Sequence, residues 1–211
     1  MSNQTDRIER HSAPERVNHW LVAILFITTA LGGLALFHPY FFWISNLLGG
    51  GTMTRILHPF LGVLVFLAFS GLVTRWATDN RLTDADRQWL RQIRDVISNQ
   101  EGNLPEAGRF NAGQKCLFWF QLTALCLLLL SGVVIWRPWF APYFSISLIR
   151  VAVVVHGVMA FLLIAGIITH IYAAFWVKGS LKGMTTGLVS RAWAKKFHPA
   201  WYRQISGGGK Q

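Results

Sequence analysis

Four stretches of this chain, Val17 to Phe37, Met53 to Trp76, Gln114 to Trp136 and Leu148 to Val177, are each long and apolar enough to cross a bilayer. A span needs about 20 apolar residues in a row, and inside hydrocarbon its backbone polar groups must bond within the segment, so each run is read as a helix. Composition agrees: 53% of the 211 residues are hydrophobic and only 14% are charged, far from the balance of a soluble domain. The expected fold is an all-α membrane protein, a four-transmembrane-helix bundle, forming one integral-membrane domain over residues 1–211. A loop over 77–113 and a tail over 178–211 complete it.

An even number of crossings puts both termini on one side. Arg7, Arg10 and Arg16 precede the first span. Arg75, Arg81, Arg87, Arg91, Arg94, Arg109 and Lys115 lie between the second and third, and Lys178, Lys182, Arg191, Lys195, Lys196, Arg203 and Lys210 follow the fourth. Only Arg55, Arg137 and Arg150 fall on the other side. Positive charge collects in cytoplasmic segments, so termini and long loop are assigned to the cytoplasm. The net charge of +11 is this topology signal together with attraction to anionic lipid, and it requires no nucleic acid. A cleavable signal peptide would have a shorter apolar core and a small-residue cleavage site, so the first span is read as retained.

The last span carries His156 and His170. An ionisable group inside a membrane is costly and marks function. Fourteen residues return His170 to within about 40° of His156 and about 21 Å further along one helix face. A single zinc needs its ligands at one depth and a catalytic dyad needs contact, so the pattern fits two separate sites stacked across the bilayer. Two further histidines supply partners by depth. His58, at the outer end of the second span, matches His156; His19, at the inner start of the first, matches His170. Two imidazoles from different helices at each level are what six-coordinate bis-histidine haem requires, giving two haem b groups stacked across the bilayer. No Cys-x-x-Cys-His sequence is present, so the haems would be held without covalent attachment. Cys116 and Cys126, about 15 Å apart on one helix, are too distant for a disulfide and are read as packing residues.

Several features carry two readings. Gly33 faces the same way as His19 but in the other leaflet, where a missing side chain either admits a flat ring or packs helices. Asn111 and Gln114 either cap the third span or present amides to a quinone carbonyl beside the His19/His170 level. Residues 84–98 place Trp89, Leu90, Ile93, Val96 and Ile97 opposite Arg87, Arg91 and Arg94, as in an interfacial amphipathic helix. Pro59 is expected in the first turns of its span. The third span, without histidine or internal charge, reads as a wall of the bundle. The tail is expected along the inner surface with a disordered Gly207-Gly208-Gly209 end. His11, His38 and His198 read as interfacial or solvated.

A resemblance joins these pieces. Pro14-Glu15-Arg16 with Asn18-His19-Trp20, Arg55-Ile56-Leu57-His58-Pro59-Phe60, Asn111 to Lys115, Trp136-Arg137-Pro138, His170-Ile171-Tyr172-Ala173 and Trp176-Val177-Lys178-Gly179 resemble the gamma subunits of respiratory formate dehydrogenases, which are di-haem cytochromes b. The similarity covers nearly the whole chain, including Ala192-Trp193-Ala194-Lys195-Lys196. It implies that His58 and His156 ligate the outer haem and His19 and His170 the inner one, with a quinone against His170, Asn111, Gly113 and Gln114. It further implies a bacterial inner membrane and two partner chains. A molybdenum- or tungsten-dependent subunit would oxidise formate on the outer side, and an iron-sulfur subunit would pass electrons to the outer haem. No catalytic residue is expected on this chain itself. The nearest alternative is the cytochrome b subunit of a membrane-bound nickel-iron hydrogenase. More distant are a proton-relay transporter, which lacks an intramembrane Asp or Glu here, and a plain membrane anchor.

Overall fold

The structure, a computed structural model, describes residues 6–98, 104–137 and 139–207. Pro138 of the Trp136-Arg137-Pro138 stretch and Gly208-Gly209 of the tail lie outside the described residues. In chain order the elements are β1 (Arg7–Glu9), α1 (Ala13–Phe37), a 3-10 helix (Pro39–Leu48), α2 (Gly51–Trp76), α3 (Asp84–Arg91), α4 (Ile93–Ile97), α5 (Ala112–Ile135), a 3-10 turn (Ala141–Tyr143), α6 (Ile146–Trp176), α7 (Ser180–Thr186), β2 (Leu188–Ser190), α8 (Arg191–Phe197) and α9 (Pro199–Gly207). The four long helices α1, α2, α5 and α6 are the four apolar runs, each long and apolar enough to cross a membrane. All four begin before their apolar runs, and α5 and α6 end one residue short of theirs, at Ile135 and Trp176. α1 starts at Ala13, because Glu15 accepts from the Ser12 backbone N–H at 2.8 Å and so satisfies a free donor of the first turn. α2 starts at Gly51, which puts Pro59 in the helix interior rather than in its first turns. There the ring removes the N–H that would bond the Arg55 carbonyl.

Two compact units make up the chain. One comprises Val17–Thr74 and Phe120–Ile171; the other comprises Met1–Arg16, Arg75–Trp119 and Tyr172–Gln211. The first, the span unit, holds most of the apolar helix length. Asn18 ties α1 to α2 there, donating from Nδ2 to the Ala68 carbonyl at 2.8 Å. A Cβ at Gly71 would lie 2.7 Å from its Oδ1, so this crossing needs a glycine.

The second, the terminal unit, departs from expectation. The tail is folded rather than merely laid along a surface. β2 pairs antiparallel with β1, Ile8 opposite Val189, and Val189, Ala194 and Trp201 form a small core against Ile8, Trp193 and Tyr202. Gly187, at φ 83°, turns the chain so that its carbonyl accepts from Arg10 N at 2.7 Å. N-terminal segment, long loop and tail thus meet in one body. The amphipathic stretch is two helices, broken at Gln92 between α3 and α4. Thr83 and Asp86 cap α3 reciprocally: Thr83 N donates to Asp86 Oδ2 at 2.8 Å and Asp86 N to Thr83 Oγ1 at 3.4 Å.

Charge is buried in this unit. Glu15, 8% exposed, accepts from Trp76 Nε1 at 2.7 Å and from Arg109 Nη2 at 2.8 Å; Arg109 Nη1 reaches Asp79 at 2.7 Å. Burial opposes the charge on Arg109, but Asp79 and Glu15 outweigh it and raise its pKa. Lys115 pairs with Asp86 at 2.7 Å. Burial works against the Asp86 charge too; the bonds from Lys115 and Thr83 prevail and lower its pKa. Arg10 lies over Trp201, 4.6 Å from the ring centre, and donates to the Arg109 carbonyl. Burial first, and Arg109 second, push it down to about 9, so it stays charged at neutral pH. His11 and His198, read as interfacial or solvated, are in fact buried. His198 bonds the Gly108 carbonyl through Nδ1 at 2.8 Å and faces Arg10 through Nε2 at 3.4 Å, while His11 lies between the rings of Trp76 and Phe110. His38 is exposed and caps the 3-10 helix, its Nδ1 accepting from Tyr40 N at 3.2 Å.

Candidate functional site

The four span histidines come together in the two pairs that depth implies. His58 on α2 faces His156 on α6 with ring centres 6.2 Å apart and planes at 70°. His19 on α1 faces His170 on α6, again at 6.2 Å, with planes at 51°. Neither pair is hydrogen-bonded ring to ring at this spacing. Metal–imidazole bonds of about 2 Å on each side, with each nitrogen about 1.1 Å from its ring centre, separate two ring centres by about 6 Å. Both pairs therefore hold the opening that one metal between two imidazoles needs. No group of three or more His, Cys, Asp or Glu that could hold a metal ion occurs among the described residues, and each pair presents two imidazoles.

Hydrogen bonds decide which nitrogen is offered. His58 Nδ1 lies 3.1 Å from the Thr29 carbonyl, an acceptor only, so Nδ1 carries the proton and Nε2 keeps its lone pair. His156 Nδ1 lies 3.0 Å from Ser131 Oγ, and Ser131 gives its own hydrogen to the Leu127 carbonyl at 2.6 Å. The hydroxyl therefore accepts from His156, and Nε2 is again bare. His19 Nδ1 is buried with no hydrogen-bond partner among the described residues.

Glycines make room for the rings. A Cβ at Gly33 would lie 3.1 Å from His58 Cε1, and one at Gly132 would lie 3.4 Å from His156 Cε1. The flat ring admitted at Gly33 is thus the imidazole of His58. Its counterpart Gly132, and Ser131 beside it, belong to α5, which is more than a wall. The signal was present in the sequence, as a polar and a small residue following Leu127-Leu128-Leu129-Leu130.

Asn111, Gly113 and Gln114 sit in the terminal unit at the start of α5. Asn111 N donates to Gln114 Oε1 at 3.0 Å and Gln114 N to Asn111 Oδ1 at 2.9 Å, the reciprocal cap read from their spacing. The cap uses both side-chain oxygens and leaves both NH₂ groups as donors. Gly113 lets the Trp89 ring approach, its Cβ position being 3.4 Å from Trp89 Cη2. Asn111, Trp89, Asp86 and Lys115 line part of a cavity of about 320 Å³.

Four apolar helices that offer imidazole pairs at two depths define the class of helical membrane cytochromes. Residues 10–187 match the family described as prokaryotic cytochrome b561, and the chain belongs to that family, whose members carry haem b. It is 47% identical over 200 residues, 95% of this chain and 94% of the relative, to the formate dehydrogenase cytochrome b556(fdo) subunit of Escherichia coli K12. It is 42% identical over 204 residues, 97% of this chain and 85% of the relative, to the formate dehydrogenase cytochrome b556 subunit of Haemophilus influenzae. With the nitrate-inducible cytochrome b556(Fdn) subunit of E. coli K12 it shares 41% over 203 residues, 96% and 94% of the two chains.

Proposed function

We propose that this chain is the membrane cytochrome b subunit of a formate dehydrogenase, with His58 and His156 ligating one haem b and His19 and His170 a second. The observation that carries the ligation is the 6.2 Å opening repeated in both pairs; relatives alike over almost the full chain carry the formate assignment. Haem held by these four histidines would supply one-electron exchange. The protein's part is to fix ring orientation through the His58 and His156 Nδ1 contacts and to surround both levels with apolar helix, which limits water at the rings.

The Lys and Arg excess in the termini and the 77–113 loop supports a cytoplasmic side for them, in a bacterial inner membrane. The His58/His156 level then faces the outer side, where an iron-sulfur subunit delivers electrons taken from formate by a molybdenum- or tungsten-dependent subunit. Quinone is reduced at the inner side, against His170, Asn111, Gly113 and Gln114. The free NH₂ groups of Asn111 and Gln114 are suited to donate to a quinone carbonyl, and protons come from the cytoplasm. Electrons driven inward against a membrane negative inside store roughly 2.3 kcal/mol per charge per 100 mV.

The test is purification of the complex through a tag on this chain, followed by anaerobic addition of formate and then of quinone. Formate should reduce b-type haem and quinone should reoxidise it. Reduction by hydrogen and not by formate would assign the chain to a hydrogenase instead.

A further inference from the structure

The two imidazole levels match in spacing and differ in how the far nitrogens of His58, His156 and His19 are held. At His58/His156 both Nδ1 atoms have acceptors, the Thr29 carbonyl at 3.1 Å and Ser131 Oγ at 3.0 Å. At the other level His19 Nδ1 is buried with no partner among the described residues. An imidazole that donates its N–H to an acceptor is a stronger donor at its other nitrogen. A stronger donor favours oxidised iron and lowers the reduction potential.

Of the two acceptors, only Ser131 is a choice of side chain. It is buried and follows four leucines on α5. A serine in an apolar helix usually bonds back to the carbonyl four residues earlier, and Ser131 does so, at 2.6 Å to Leu127. That bond spends its only hydrogen and turns its lone pairs to His156. His156 N–H, Ser131 O–H and the Leu127 carbonyl then form a chain in one direction, in which each bond polarises the next. With alanine at this place the helix would keep its own hydrogen bonds, and His156 would lose the hydroxyl and keep only the Leu128 carbonyl as an acceptor. Gly132, the next residue, clears the space in which the ring meets it, 3.4 Å from where a Cβ would stand.

We propose that Ser131 is a positioning residue that holds the His156 ring with Nε2 bare and sets the potential of the His58/His156 haem below that of the His19/His170 haem. The inference rests on the ligation given above. Its consequence is direction: electrons pass from the level where both Nδ1 atoms have acceptors to the level where His19 Nδ1 has none among the described residues.

The experiment is a redox titration of the purified complex, followed by the visible absorption of its b haems, for the native protein, Ser131→Ala and Ser131→Thr. The native protein should titrate in two waves. Ser131→Ala should keep both haems, move the lower wave upward towards the other and leave the upper wave in place; Ser131→Thr, which keeps the hydroxyl, should restore the native pair of waves. Unmoved waves in Ser131→Ala, a shift of the upper wave, or loss of a haem would overturn the tuning role. His156→Ala in the same assay separates the two ideas: two haems retained in that variant would remove the ligation itself, whereas one haem lost with no shift in Ser131→Ala would remove only the inference.

Discussion

The span unit and the terminal unit both bury ionisable side chains, and they use them in opposite ways. In the terminal unit the groups are bonded to one another. Glu15, Arg109 and Asp79 close a chain, Lys115 meets Asp86, and His198 engages both ring nitrogens, one with the Gly108 carbonyl and one facing Arg10. In the span unit His58 and His156 engage Nδ1 alone, and the paired rings stand 6.2 Å apart. A buried histidine with both nitrogens engaged by protein is structural. One that keeps a nitrogen bare opposite another bare nitrogen has the arrangement that the proposed haem ligation would use.

The largest expected effect comes from breaking the span side of this contrast. His156→Ala or His170→Ala should abolish haem binding at its own level and leave the other, which haem quantification against protein would read as about half the native content. Next is the terminal side. Glu15→Ala removes a buried partner of Arg109 and Trp76, and breaking a buried ion pair from one side costs about 3–5 kcal/mol. Because Arg109 keeps some solvent access, with 24% of its side chain exposed, we expect the lower end of that range, seen as an earlier thermal transition in detergent with an unaltered haem spectrum before melting begins.

Smaller is the effect of filling the ring space at Gly33. Gly33→Ala places a Cβ 3.1 Å from His58 Cε1, an overpacking worth about 1–3 kcal/mol. Haem retention under mild denaturant should fall at the His58/His156 level, and less so in Gly132→Ala, where the gap is 3.4 Å. The smallest effect is a pH slope. Burial first, and Arg10 second, lower the His198 pKa from 6.5 to about 4. The folded state then binds fewer protons than the unfolded one below about 6.5, so stability is whole above that pH and declines as pH falls from 6.5 towards 4. Melting of the native protein should come earlier at pH 5 than at pH 7, and His198→Asn should flatten that slope.

What could be read from the sequence was what is local along a helix. The spacing of His156 and His170 fixes a shared face and two depths without any knowledge of neighbours, and Asn111 to Gln114 closes its box within one turn. The four spans follow from length and hydropathy alone. The terminal unit was not legible because its bonds join distant residues. Arg10 meets Arg109 and His198 across 99 and 188 positions, and β1 meets β2 from opposite ends of the chain. A tail rich in Lys and Arg therefore read as lying along the inner surface, and His11 and His198 as interfacial or solvated. Ser131 and Gly132 were missed for another reason. Small residues in membrane helices usually pack helices, and only the position of His156 distinguishes this pair from that role.

The central claim is that each imidazole pair clasps one haem. Its most direct measurement is haem content per chain by pyridine haemochrome, together with the electron paramagnetic resonance spectrum of the oxidised complex. Two b-type haems per chain are expected, both low-spin with two imidazole ligands. One haem per chain, or a high-spin signal from an iron lacking its second imidazole, would contradict it.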